Sequence, residues 1–167
     1  EVHSVRGEDW PETVAGLLAR RNLNNLLYAP ETGHGTQLGD YWRSTEQAIE
    51  LLAYDRPVED WKDTLFWSVD ASITGTVGGI AATGSLVLWP DRHEPRLMSL
   101  LPPLHIALLR ASQIEANLYT MMQRHNGSSG MPTTALLISR PATTAAHEHV
   151  LGYCAPGPAD ERHLLGR

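Results

Sequence analysis

Residues 10–29, WPETVAGLLARRNLNNLLYA, join a stretch with helical periodicity directly to a short apolar run, and this pairing decides the fold class. The apolar residues of the first half recur on one helical face, which predicts a helix from Trp10 to Arg21. Residues 25–29 then predict a short buried strand, ended by the turn-rich segment 30–35. That segment should therefore lie at the carboxyl end of a strand.

The same alternation of helix and strand continues through the chain. Apolar positions recur at a helical period from Leu38 to about Tyr54, and residues 64–69 predict the next strand. Such a rhythm is typical of βαβ units around a mainly parallel sheet with helices on both faces. We place strands of this sheet near Leu26, Phe66, Leu86 and Leu137, two more at 97–101 and 104–109, and later helices at about 112–125 and 144–150.

The length and composition indicate one domain. The chain has 167 residues, of which 42% are hydrophobic and 19% charged, so we expect a single domain over residues 1–167. The net charge is −6, with 19 acidic against 13 basic residues. This acidic excess disfavours nucleic acid as a partner.

Cys154 is the only cysteine of the chain. A single thiol excludes an intrachain disulfide, a thiolate zinc site and an iron–sulfur cluster held by this chain alone. His147, Glu148 and His149 are adjacent, but on a helix their side chains would point in different directions. We therefore predict no bound metal and no cofactor.

No apolar stretch approaches the roughly 20 residues that span a bilayer, and no charged and then apolar leader opens the chain. We therefore expect a cytoplasmic protein without a membrane partner. The chain opens at Glu1 rather than at a methionine. We allow for an N-terminal portion that precedes this residue.

Three later segments carry a resemblance to a known family: IAATGSLVLW (80–89), LMSLLPPLHIALL (97–109) and ALLISRPATTAAHEHVLGYCAPGP (135–158). In this order they resemble the LUD domain of the lactate-utilisation protein C family. The resemblance implies a three-layer α/β domain of the CoA-transferase-like (NagB/RpiA-like) fold. It also implies a role in the bacterial oxidation of lactate to pyruvate, alongside iron–sulfur partner subunits.

The matches and departures from this family pattern fall on individual residues. Thr-Gly-Ser at 83–85 matches the family's turn before a strand, where Ala82 replaces an acidic residue. In the last segment Arg140, Ala142 and Ala146 replace a glycine, a serine and an aspartate. The matching positions of that segment are Pro141, Thr144, Ala145, Glu148, Gly152, Gly157 and Pro158.

The sharpest candidate site is the turn that follows Ser139 and enters the next predicted helix. N–H groups at the helix start, the hydroxyls of Thr143 and Thr144 and the guanidinium of Arg140 would bind a small anionic metabolite. The alternative is that a threonine only caps the helix and Arg140 is a solvated surface charge. With the family-matched residues, the predicted ligand-binding set is Thr83, Gly84, Ser85, Arg140, Thr143, Thr144, Glu148 and Gly157.

The glycines between Gly75 and Gly84 would also let backbone N–H groups approach an anion. No phosphate-loop or dinucleotide fingerprint is completed there, so a structural turn is the alternative. We expect this turn and the turn after Ser139 to lie near one another at the carboxyl-end rim of the sheet. His105, among apolar neighbours in a strand, is predicted to be a hydrogen-bonded core residue.

Three functions stay open at this point. The first is an accessory or regulatory protein of lactate oxidation that binds a small anionic metabolite. The second is a CoA-transferase-like enzyme that acts on a carboxylate or an acyl thioester, which the missing carboxylate at Ala82 weakens. The third is an interaction scaffold with an inactive pocket.

Overall fold

The computed structural model describes residues 2–125, 134–139 and 148–155. The first half contains β1 (Val2–Arg6), α1 (Trp10–Arg20), β2 (Asn25–Tyr28), α2 (Gly33–Thr45), β3 (Glu50–Ala53), α3 (Lys62–Trp67) and β4 (Ala71–Gly75). The second half contains β5 (Gly78–Ile80), β6 (Ser85–Leu88), α4 (Arg96–Leu100), β7 (Leu104–Arg110), β8 (Ile114–Glu115), α5 (Leu118–His125), β9 (Leu136–Ile138) and β10 (Glu148–Ala155). Short 3-10 turns lie at Val58–Asp60 and Ala111–Gln113.

Six strands form one parallel sheet in the order β1-β10-β7-β4-β2-β3. Its central strand β7 is buried at every position from Leu104 to Leu109, as expected for a strand covered on both faces. The remaining strands form a smaller sheet in the order β8-β5-β6-β9. The mainly parallel α/β architecture predicted from the sequence is confirmed.

Helices cover both faces of the parallel sheet because neighbouring residues of a strand point to opposite sides. Leu26 of β2 joins a core cluster with Leu18 of α1 and Leu38 of α2. Leu27, the next residue, joins a second cluster with Leu65 of α3 and Met98 of α4. All six are at most 2% exposed, and full burial of such a side chain contributes about 1.5–3 kcal/mol.

The strand predicted at 64–69 is wrong. Lys62–Trp67 is helix α3, and the strand follows it as β4. The physical reason lies in burial, since Trp67 is 85% exposed whereas Ala71–Thr74 are all buried. The bulky aromatic residues gave residues 64–69 the stronger apolar pattern. The small residues Ala71 and Ser72 gave the buried strand only a weak one.

The helix predicted from Leu38 to about Tyr54 is too long and starts too late. Helix α2 begins at Gly33, and it ends where Glu46 takes a left-handed backbone conformation with φ of 47°. Glu50–Ala53 then form the edge strand β3, parallel to β2. An apolar run as short as Ile49–Ala53 does not distinguish helix from strand by its spacing.

Three smaller predictions also need correction. Arg96–Leu100 is helix α4 rather than a strand, and Glu148–Val150 belong to strand β10 rather than to a helix. The helix predicted from residue 112 begins at Leu118, where the Asn117 side chain accepts from the Thr120 N–H at 3.0 Å. Residues 140–147, where the start of the last helix was predicted, lie outside the described ranges.

The strands near Leu86 and Leu137 do not belong to the parallel sheet. They are β6 and β9, which pair antiparallel in the smaller sheet. Close packing joins that sheet to the larger one, because a Cβ at Gly79 would lie 3.0 Å from Leu109 Cδ2. The chain leaves the parallel sheet after β4, forms β5 and β6 of the smaller sheet, and returns as β7.

No helix in the described ranges has the length and apolar character needed to cross a bilayer.

Candidate functional site

A cleft of about 700 Å³ lies at the carboxyl ends of the parallel strands. Its position follows from the topology. The chain crosses from β2 toward one edge of the sheet and from β4 toward the other, so the helices that follow these strands lie on opposite faces. Ligands of α/β folds bind in the crevice at such a reversal point. The cleft is lined by Gly7, Trp10, Gly33, His34, Gln37, Gly75, Thr76, Val77, Trp89, Glu94, Leu108, Leu109, Arg110, Ser112 and Gln113.

The start of α2 places His34 at this cleft. Thr32 is the N-cap of the helix, and its hydroxyl accepts the Gly35 N–H at 3.0 Å and donates to the carbonyl oxygen of Ala29 at 2.8 Å. Gly35 is required here because an added Cβ would lie only 1.8 Å from that carbonyl oxygen. The strand end and the helix start are therefore held tightly together, and His34 is the second residue of that helix.

Glu94 reaches the same cleft from the loop before α4. Its Oε1 lies 2.8 Å from Nε2 of His34 and accepts the Gly75 N–H at 3.0 Å, while its Oε2 lies 3.3 Å from the same N–H. The His34 side chain is 22% exposed and that of Glu94 is 18% exposed. The pair is thus partly shielded from water, with one open side.

Gly75 has space for this pair because it carries no side chain. An added Cβ would lie 3.1 Å from His34 Cε1 and 3.4 Å from Glu94 Oε2. The last residue of β4 therefore serves the cleft in two ways: its N–H holds the carboxylate, and its missing side chain admits the imidazole.

Other residues that line the cleft add polar and aromatic groups. Trp10 donates its indole N–H to Oε1 of Gln37 at 3.0 Å, and the Thr76 hydroxyl donates to the carbonyl oxygen of Leu108 at 2.8 Å. Arg110 lies at the end of β7 and is exposed. Among the described residues no carboxylate lies within ion-pair distance of its guanidinium.

A second, more open cavity of about 550 Å³ lies beyond the ends of β2 and β3. Its polar lining includes Arg56, Arg92, His93 and Glu31, with His93 Nδ1 2.8 Å from Oε2 of Glu31. Within residues 2–125, 134–139 and 148–155, no three His, Cys, Asp or Glu side chains converge in a way that could hold a metal ion.

The structure places the predicted residues Thr83, Gly84 and Ser85 in the hairpin turn between β5 and β6. The Thr83 and Ser85 hydroxyls lie 2.7 Å apart, and Gly84 has a positive φ of 61°, which glycine adopts without strain. Val77 and Trp89, which line the cleft, lie at the other end of these strands. The turn is about 13 Å away along the strand, at 3.3 Å per residue.

Ser139 follows β9 and lies at the same end of the smaller sheet as Ser85, because Leu86 pairs with Ile138. The two predicted turns thus begin near one another, but in the smaller sheet and not at the rim of the parallel one. Arg140, Thr143, Thr144 and Gly157, the other members of the predicted set, lie outside the described residues.

Glu148, the last predicted ligand-binding residue, begins β10 in register with Leu104. It therefore lies at the amino end of the parallel sheet, opposite the cleft. His105 is confirmed as a core residue, since it is 0% exposed and its Nε2 lies 2.9 Å from the Thr74 hydroxyl.

Sequence reasoning missed both His34 and Glu94. A signal existed for His34, because the turn-rich segment 30–35 was expected at a strand's carboxyl end, where α/β folds bind ligands. Glu94 had no such signal, since it lies in a loop 60 residues further along the chain.

Comparison with known proteins agrees with this architecture. The family model of the LUD domain matches residues 1–164. An uncharacterized protein of Neisseria meningitidis is 33% identical over 161 residues, which cover 96% of this chain and 68% of that protein. The crystal structure of a DUF162 family protein from Deinococcus radiodurans superposes with a TM-score of 0.65 at 19% identity, over 93% of this chain and 87% of the other.

The family match spans nearly the whole chain, and the solved structure shares its fold. The mainly parallel α/β fold expected from the sequence is confirmed. The chain belongs to the LUD-domain family.

Proposed function

We propose that this LUD-domain protein binds a small anionic metabolite in the cleft between His34 and Arg110. In this proposal it is an accessory or regulatory component of the oxidation of lactate to pyruvate in the bacterial cytoplasm. As the resemblance to the lactate-utilisation family implies, it would work beside iron–sulfur partner subunits.

The observation that carries the proposal is the unbalanced charge of Arg110. Its guanidinium lines the cleft without an ion-pair partner among the described residues. The carboxylate of the cleft, Glu94, already accepts from His34 and Gly75. Within the part of the chain that the structure describes, the Arg110 guanidinium is therefore open to a carboxylate ligand, and a bidentate pair with a guanidinium is among the stronger hydrogen-bonded contacts.

The polarity of α2 supports the same ligand class. This helix of 13 residues directs its amino end, at Gly33, into the cleft. The partial positive charge of a helix amino end favours a bound anion. It adds to the guanidinium because both line one cavity.

Calorimetric titration tests the proposal with lactate and pyruvate as anions and with lactamide as the uncharged analogue. We expect the anions to bind and lactamide not to bind. Arg110→Ala should weaken anion binding by about 1.5–3 kcal/mol, the range for a hydrogen bond to a charged group. Arg20→Ala removes the same charge from the far end of α1 and should leave the affinity unchanged.

Arg140→Ala belongs in the same series because the sequence predicted Arg140 as the anion contact. Loss of affinity in Arg140→Ala but not in Arg110→Ala would move the site away from the cleft. Failure of every anion to bind the wild-type protein would contradict the proposed function.

One observation favours the second candidate, a CoA-transferase-like enzyme acting on a carboxylate or an acyl thioester. Glu94 supplies the carboxylate that Ala82 does not, and it lines the cleft. The Glu94 carboxylate would attack the acyl-CoA carbonyl and displace the CoA thiolate, which then attacks the mixed anhydride at the Glu94 carbonyl and releases the acyl group as a free carboxylate. Incubation with an acyl-CoA should therefore add CoA, held as a thioester, to the protein mass, and Glu94→Gln should abolish that addition. An unchanged mass in the wild-type protein would exclude this chemistry for the thioester used.

A further inference from the structure

We propose that His34 is a general base that removes a proton from the bound ligand, with Glu94 as its positioning residue. The proposal rests on the proposed function, because it concerns the same cleft and the same anionic ligand. It goes beyond binding by assigning a reaction to the cleft.

The hydrogen bonds around His34 fix which ring nitrogen carries the proton. Nε2 lies 2.8 Å from Glu94 Oε1 and 3.2 Å from Thr32 Oγ1. The Thr32 hydroxyl gives its own proton to the carbonyl oxygen of Ala29, so toward His34 it can only accept. The Glu94 carboxylate also accepts, because it takes the Gly75 N–H. Nε2 must therefore be the donor, and in the neutral ring Nδ1 has the free lone pair.

That lone pair is open to the cleft. The described residues provide no hydrogen-bond partner for Nδ1. Nδ1 is not buried, so water reaches it. The strand end at Gly75 leaves the space beside this edge of the ring, because a Cβ there would lie 3.6 Å from Nδ1.

This arrangement is that of a base oriented by a carboxylate. When Nδ1 takes a proton, the ring becomes cationic while its Nε2–H stays bonded to Glu94, whose negative charge stabilises the imidazolium. Glu94 itself is held by the backbone N–H of Gly75, so it does not have to move during the transfer. Preorganised groups of this kind lower the barrier because they need no rearrangement.

The ligand class follows from the strength of the base. An imidazole removes a proton from carbon at a useful rate only where the carbanion is stabilised, as it is next to a carbonyl group. Because Arg110 requires a carboxylate, we infer a small 2-oxo acid. The proton passes from carbon 3 to Nδ1, the C–H electron pair forms the enolate, and reprotonation of carbon 3 regenerates the ligand. Atoms and charge balance without an oxidant.

Hydrogen exchange in D₂O measures this step. Pyruvate and 2-oxobutyrate are incubated with the protein, and proton NMR follows the replacement of carbon-3 hydrogen by deuterium. We expect exchange well above the buffer blank in the wild-type protein. His34→Gln keeps a donor toward Glu94 but has no base, and it should lower the rate by about 10²–10⁴-fold, the usual contribution of general acid–base catalysis.

Glu94 and a matched control complete the series. Glu94→Gln should lower the maximal exchange rate while leaving the half-saturating ligand concentration within about twofold, a separation that a purely structural role would not give. Glu31→Gln removes the carboxylate of the other His–Glu pair, outside the cleft, and should exchange like wild type. Equal rates in wild type and His34→Gln, with pyruvate bound to both, would overturn the proposal.

A measurement without ligand separates this proposal from the proposed function. The ¹⁵N chemical shifts of His34 should show a protonated Nε2 and an unprotonated Nδ1. The reverse tautomer would contradict the assignment of Nδ1 as the base. Absence of 2-oxo acid binding would instead contradict the proposed function and the ligand class. Binding with the expected tautomer but without exchange would refute proton transfer alone.

Discussion

Nδ1 of His93 lies 2.8 Å from Oε2 of Glu31, and Nε2 of His34 lies 2.8 Å from Oε1 of Glu94, so the same two segments are joined twice. The segment from the end of β2 to the start of α2 contributes Glu31 to one pair and His34 to the other, and the loop before α4 contributes His93 and Glu94. Arg92 donates to the remaining ring nitrogen of His93 at 2.7 Å. The Glu31–His93 pair lines the second cavity, outside the cleft.

The outer pair should matter little for stability. Glu31 is 73% exposed, and exposed ion pairs contribute about 0–1 kcal/mol. We expect Glu31→Gln to change the free energy of unfolding by less than about 1 kcal/mol in urea denaturation. A larger loss would mean that the joined loops are a main support of the fold, and Glu31→Gln could then no longer serve as the control for Glu94→Gln.

Thr32 should matter more, because it caps α2 with its side chain. Thr32→Val leaves the Gly35 N–H without its acceptor, and we expect a loss of about 0.5–2 kcal/mol in the free energy of unfolding. Thr45→Val changes an exposed threonine at the other end of the same helix, where the hydroxyl donates to the Tyr41 carbonyl oxygen and accepts from the exposed Gln47 side chain. Equal effects of the two substitutions would contradict the capping role.

Tyr54 gives the protein a defined alkaline sensitivity. Burial, and secondarily the negative charge of Glu59, raise the pKa of its hydroxyl above 10.0. The unfolded chain then loses this proton first as the pH rises, so the contribution to stability is complete below pH 10.0 and is lost as the pH rises through the folded-state pKa.

Thermal unfolding from pH 9 to pH 12 checks this sign against Tyr54→Phe. The phenylalanine keeps the ring beside Trp61, at 5.4 Å between centroids in the wild type, but has no proton to lose. We expect the melting temperature of wild type to fall more steeply above pH 10 than that of the variant. Parallel curves would show that the Tyr54 hydroxyl titrates alike in both states.

Sequence periodicity found the elements whose burial is strongly patterned. The helix at Trp10–Arg20, the strand at Asn25–Tyr28 and the strand at Leu104–Arg110 were all predicted within one residue at each end, because buried apolar side chains dominate them. Where the buried residues are small, as in Ala71–Gly75, the pattern gave no strand. Local periodicity also could not separate the two sheets, since that depends on long-range pairing.

The candidate site was harder to find for the same reason. His34 and Glu94 are 60 positions apart and meet only because the chain forms two strands of a second sheet between β4 and β7. The sequence motif at Thr83–Ser85 was visible, but the structure places it in a hairpin turn at the other end of that sheet. Sequence motifs identify local turns, whereas the His34–Glu94 pair in the cleft is formed by the topology of the whole chain.

Gly75→Ala tests whether the cleft depends on the absence of one side chain. The new Cβ would lie 3.1 Å from His34 Cε1, closer than ordinary contact distance, so the imidazole must shift by a few tenths of an ångström. Overpacking of this kind costs about 1–3 kcal/mol in the free energy of unfolding. We expect a loss in that range, a change in the ¹⁵N shifts of His34, and weaker binding of the anions that the wild-type protein takes.

Gly16→Ala is the matched control, because an added Cβ there meets nothing within 4 Å and the residue lies inside α1. It should stabilise the protein by about 0.5–1 kcal/mol, since alanine in a helix has less conformational entropy to lose than glycine. The two substitutions add the same methyl group, but at Gly75 it meets the imidazole and at Gly16 it meets open space. They should therefore change the free energy of unfolding in opposite directions. If Gly75→Ala also stabilises the protein and leaves the His34 signals unchanged, the imidazole does not lie over the end of β4, and the geometry assigned to the His34–Glu94 pair is wrong.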